Sequence, residues 1–158
     1  MVFMLAQIFG PISGAHFNPA VTIGMLFKEG NANWMRNFTF TLMLLIAQGI
    51  GAVIGCAICL GGFKLEKSDN AKVMNKDYYI AQLCPANGCD DKSVAGKVFI
   101  VEMTCTFLFV NFVFMIAKHN GAADQPINAL AVGLALFLAI REASGISGGC
   151  INPVVGLV

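Results

Sequence analysis

Two ten-residue segments, 12–21 and 146–155, are written on one pattern. The first reads Ile-Ser-Gly-Ala-His-Phe-Asn-Pro-Ala-Val and the second Ile-Ser-Gly-Gly-Cys-Ile-Asn-Pro-Val-Val. Ile, Ser, Gly, Asn, Pro and the final Val recur at matched places, six positions of ten. Asn18 and Asn152 stand 134 residues apart. That period is too long for a solenoid repeat. It suits the internal duplication of a whole multi-helix unit.

Asn-Pro carries a local instruction. Asn is a favoured N-cap, and Pro is favoured at the first helical position, where no N–H is needed. Each copy therefore reads as an extended, Gly-rich segment running into a helix N-terminus. In the first copy the spacing predicts a helix from Pro19 to about Phe27, with Gly30 as its stop. At ~1.5 Å per residue that helix is about 14 Å long, half the thickness of a bilayer core. Irregular backbone at membrane depth is tolerated only where it is buried in protein or lines a watery cavity.

Composition makes the membrane reading firm. The 158 residues are 57% hydrophobic and 12% charged, against roughly 25% charged in an average soluble domain. A net charge of +1 gives no case for nucleic acid. Residues 1–9 are apolar but lack a basic flank, so they do not read as a signal peptide. Cys56 and Cys59 form a C-x-x-C inside an apolar run with no second pair or His nearby, and read, like Cys105, as small residues on a helix face. Cys84 and Cys89 flank a polar Pro-Ala-Asn-Gly turn, where a disulfide suits a loop facing an oxidising side. The sequon at Asn37 heads an apolar run and is expected to stay unmodified.

The segment from Leu5 to Thr22, with Ser13-Gly14 before Asn18-Pro19-Ala20, resembles the first signature of the aquaporin and aquaglyceroporin (major intrinsic protein) family. Ser147-Gly148 before Asn152-Pro153-Val154-Val155 resembles the second, with Val154-Val155 where the family usually has Ala-Arg. The resemblance implies an all-α membrane protein: an aquaporin-like right-handed bundle of spanning helices, with two half-helices meeting at mid-membrane. It also implies a passive channel for water and small neutral solutes, not an enzyme, with no cofactor and no metal.

Against that plan the chain divides into three. Residues 1–63 read as the remnant of a first repeat: half of the second span at 1–9, then from Gly10-Pro11 the loop and half-helix of Asn18-Pro19, and the third span at 38–63. Residues 64–97 read as a polar connecting loop. Residues 98–158 read as the second repeat, with spans at 98–117 and 127–140, the loop of Asn152-Pro153 and the start of a second half-helix. The family's first and sixth spans are not expected within this chain. A longer polypeptide or partner chains would complete the bundle, as a homotetramer in the lipid bilayer or with other membrane subunits. A non-conducting structural subunit or fragment is the alternative.

The resemblance also assigns roles. Asn18 and Asn152 cap the half-helices and offer amide donors to a passing solute, with Pro19, Ala20, Pro153 and Val154 completing the motifs. Backbone at Gly14, Ala15, His16, Gly148, Gly149 and Cys150 lines the path with carbonyls. The half-helix dipoles disfavour protons and cations at the centre. The narrow filter falls on Ile140, Gly149 and Val155, wide and apolar, which admits glycerol, urea or ammonia beside water. Glu102, a carboxylate inside a span, is expected to be buried and to accept hydrogen bonds from the second loop.

Overall fold

In the computed structural model, residues 1–30, 33–65, 95–119 and 126–157 are described, those at 60–65 and 117–119 as backbone only. The polar segment between the third and fourth helices, with Cys84 and Cys89, lies outside them. Among the described residues six helices follow in order: α1 (Val2–Ser13), α2 (Pro19–Lys28), α3 (Trp34–Leu65), α4 (Ala95–His119), α5 (Pro126–Ser144) and α6 (Pro153–Leu157).

Three of them, α3, α4 and α5, are long and apolar enough to cross a membrane. At ~1.5 Å per residue the 32 residues of α3 reach about 48 Å, well past a hydrocarbon core of ~30 Å. Its outer side is aliphatic, with Met43, Ile50, Ile54 and Ile58 exposed as a lipid-facing surface requires. The chain is an all-α integral membrane protein.

α1 runs further than the sequence suggests. The helix continues through Gly10-Pro11 to Ser13 rather than stopping near residue 9. Proline disfavours a helical residue before it by pressing on that residue's Cβ, and Gly10 has none. Gly14, at φ 78°, closes the helix in the left-handed region and donates its N–H to the Gly10 carbonyl. α2 starts as its sequence dictates: Asn18 is extended at φ −152°, its Oδ1 accepts from Ala20 N, and Pro19 takes the first position.

The helices pack as α4 on α5 and α2, α1 on α5, α2 on α3, and α6 on α3 and α2. The buried apolar core is small: Val21, Phe109, Val110, Ala143 and Ile151. Polar side chains share the centre with it, with Asn18, Thr22, Asn128 and Ser147 all buried. Gly24 explains itself here. A Cβ at that position would lie 2.4 Å from Phe114 Cζ and 3.1 Å from Val110 Cγ1, so its lack of a side chain sets how closely α2 approaches α4.

Candidate functional site: two interlocked loops

Residues 14–18 and 148–152 fold as one structure written twice. Gly14 (φ 78°), Ala15 (48°) and Phe17 (49°) are matched at the same offset by Gly148 (87°), Gly149 (72°) and Ile151 (48°). Hydrogen bonds repeat with them. Ala15 N donates to Ser13 Oγ at 3.4 Å and Gly149 N to Ser147 Oγ at 3.2 Å. Ala20 N donates to Asn18 Oδ1 at 2.9 Å and Val154 N to Asn152 Oδ1 at 3.2 Å. The backbone N–H of Thr22 reaches the Asn18 carbonyl at 3.0 Å, and that of Gly156 the Asn152 carbonyl at 3.1 Å. The duplication visible in ten residues is a duplication of geometry.

The loops meet at their tips. Asn18 Nδ2 donates to the Ile151 carbonyl at 2.9 Å, and Asn152 Nδ2 donates to the Phe17 carbonyl at 2.9 Å. Each asparagine thus spends its oxygen on its own helix and one amide N–H on the opposite loop. A carboxamide nitrogen has two N–H groups, and each crossed bond uses one of them. Sequence reading assigned the amides to a passing solute and missed these crossed bonds, because no local pattern announces a contact between segments so far apart in the chain.

Glu102 on α4 clamps the second loop. Its Oε1 accepts from Cys150 N at 3.0 Å and from the Ser147 hydroxyl, and its Oε2 accepts from Ile151 N at 2.8 Å. The carboxylate is half-buried rather than fully buried. Its remaining surface opens on a cavity beside α4 and α6 that Met103, Cys150 and Pro153 also line. On the first loop's side, Gln48 Nε2 of α3 donates to Thr22 Oγ1 at 2.8 Å, and Thr22 Oγ1 donates to the Asn18 carbonyl at 3.1 Å.

The residues expected at the filter are placed as follows. Gly149 lies against Ile140: a Cβ on it would be 2.7 Å from the Ile140 carbonyl. Val155 lines a cavity bounded by His16, Phe17, Gln48 and Asn152, rather than by Ile140. Ala20 and Val154 supply the N–H groups that their caps receive, while Pro19 is buried and Pro153 exposed. Gly14, Ala15 and His16 form one wall of a separate cavity of about 170 Å³, closed by α1, α4 and α5. Phe109 and Val113, which complete that cavity, had a signal available. They follow Glu102 at helical spacing and so share its inward face.

Residues 1–158 match the family described as Major intrinsic protein. The chain belongs to that family. It is 33% identical over 158 residues to a probable aquaporin PIP2-4 of Arabidopsis thaliana, covering 97% of this chain and 48% of that protein. It is 29% identical over 149 residues to aquaporin-5 of Ovis aries, covering 94% and 49%. It is 31% identical over 148 residues to the glycerol uptake facilitator protein-like 6 of Lactiplantibacillus plantarum, covering 94% and 60%. The chain thus spans about half the length of most of the curated relatives it matches. No solved structure matches it. The major intrinsic proteins are channels rather than enzymes.

Proposed function

We propose that this major intrinsic protein provides the central constriction of a passive channel for water and small neutral solutes, glycerol, urea or ammonia among them. The crossed bonds between the Asn18 and Asn152 tips carry this reading. They hold two half-helix N-termini together inside an apolar bundle, each with one amide N–H left to offer. Backbone in the left-handed region at 14, 15 and 17 and at 148, 149 and 151 keeps successive peptide groups from pairing with one another as a helix or strand would. Their carbonyls then serve as acceptors along a path, with Gly14, Ala15 and His16 on one side and Gly148, Gly149 and Cys150 on the other. The dipole of α2 favours an electron-rich atom at Asn18 and opposes a cation there.

Solute choice follows from Ile140, Gly149 and Val155. None carries a charge, and the absence of an arginine at Val155 leaves the path wide. Water loses hydrogen-bond partners at such walls, while a larger, less polar solute loses less on dehydration. The relatives, aquaporins and a glycerol uptake facilitator-like protein by name, support the coarser reading of a channel for water or small solutes. The test is stopped-flow swelling of vesicles carrying the full polypeptide. Water, glycerol, urea and ammonia fluxes above those of empty vesicles are expected, and Val155→Arg should reduce the larger solutes more than water. Water flux with no flux of the three others would overturn the wide filter. No flux of any kind would favour the non-conducting structural subunit.

A further inference from the structure

α3 carries a carboxamide inside an apolar span, and only one end of it is matched. Gln48 Nε2 donates to Thr22 Oγ1 at 2.8 Å, while Gln48 Oε1 is buried with no hydrogen-bond partner among the described residues. Stranding one end of a polar side chain costs free energy that an apolar residue of the same shape would avoid. What offsets that cost is the bond at the other end. Thr22 is 1% exposed and passes its own hydroxyl proton to the Asn18 carbonyl at 3.1 Å. That carbonyl also accepts from Thr22 N at 3.0 Å. The second loop is held differently. Gly156 stands at the place matching Thr22, so from that position the Asn152 carbonyl receives a backbone N–H and no hydroxyl. Glu102 grips the second loop upstream of its asparagine, at Cys150 N and Ile151 N. The first loop is gripped downstream of its asparagine.

We propose that Gln48 is a positioning residue for the constriction, acting through Thr22 on the direction of the Asn18 amide. Proline fixes its own φ, so the turn of the chain into α2 is left to the Asn18–Pro19 peptide plane. Two donors on the Asn18 carbonyl fix that plane. The Thr22 N–H pulls the oxygen along the helix axis, the Thr22 hydroxyl draws it off that axis, and Gln48 decides where the hydroxyl stands. The Asn18 side chain hangs from the Cα next to this plane. It has to reach Ala20 N with Oδ1 and the Ile151 carbonyl with Nδ2, both at 2.9 Å. A tilt of the plane moves both contacts together. α3 thereby sets the first tip, as α4 sets the second. The transport consequence rests on the channel reading, but the placement of Asn18 does not.

Two measurements on the full polypeptide separate these. One is the NMR signal of the Asn18 side-chain amide in detergent, identified by its absence in Asn18→Ala, with the Gly149 and Cys150 N–H signals as a reference for the second loop. The other is water permeability of vesicles, per folded protein. Gln48→Met, apolar and of similar length, should shift the Asn18 amide signal and leave the reference signals in place. It should also lower water permeability roughly threefold to tenfold, the fold-change of one net hydrogen bond. Thr22→Val, which loses the hydroxyl at constant shape, should do the same, and adding Gln48→Met to it should change nothing further, because the two act in series. Thr22→Ser keeps the hydroxyl and should match wild type in both measurements. The Thr22 pair carries the test should Gln48→Met fail to fold. An Asn18 signal unmoved by Gln48→Met or Thr22→Val, or one that moves only together with the reference signals, overturns the positioning role and leaves Gln48 as packing. A shifted Asn18 signal with no water flux in wild type would support the relay while overturning conduction.

Discussion

Ile151 sits at φ 48°, a region that β-branched residues avoid, and it is fully buried. Such a conformation persists only where the surroundings over-determine it. Here both ends of the residue are held: its N–H donates to Glu102 Oε2 and its carbonyl accepts from Asn18 Nδ2. Glu102→Ala should therefore do more than open space. Cys150 N, Ile151 N and the Ser147 hydroxyl lose their charged acceptor together, and the strained residue loses one of its two restraints. A loss of about 3 kcal/mol or more is expected, since bonds to charged groups each contribute ~1.5–3 kcal/mol. Glu102→Gln keeps the shape and one oxygen, and should fall between. Thermal unfolding in detergent checks both, and midpoints equal to wild type would show that the clamp is incidental.

The helices show which instructions travel locally. α2 was legible because its cap, its first residue and its length all lie within a dozen neighbouring residues. The inward carboxylate of α4 was legible because a charge inside a span has few other places to go. The course of α1 was not, because Gly10-Pro11 reads as a stop, and the missing Cβ of Gly10 relieves one of the clashes that would make it one. Nor were the crossed bonds, or the cavity beside the first loop, since each assembles from elements far apart in the chain. The α2–α4 contact belongs to this second kind and can be tested. Gly24→Ala places a methyl group into the ring of Phe114, and overpacking of this kind costs about 1–3 kcal/mol. Phe114→Leu should recover much of that loss. In a double-mutant cycle the pair should be strongly non-additive, and additive costs would place the ring elsewhere.

Across the whole molecule the two loop tips hold each other through two side chains, Asn18 and Asn152. Asn18→Ala and Asn152→Ala should each cost about 1–2 kcal/mol, a cap plus one net hydrogen bond. Breaking either crossed bond loosens both tips, so the double variant should cost less than the sum, by about 0.5 kcal/mol or more. Strict additivity in unfolding would mean that the loops are set independently. The clasp also has a timetable. Asn18 leaves the ribosome 134 residues ahead of Asn152, a delay on the order of 10 s at ordinary elongation rates. Throughout that interval the Asn18 amide and the Phe17 carbonyl await partners not yet synthesised, so the first loop cannot settle into a dry interior. Closure of the clasp has to wait for the second loop, so the bonds that join the two tips also report that both loops have been made.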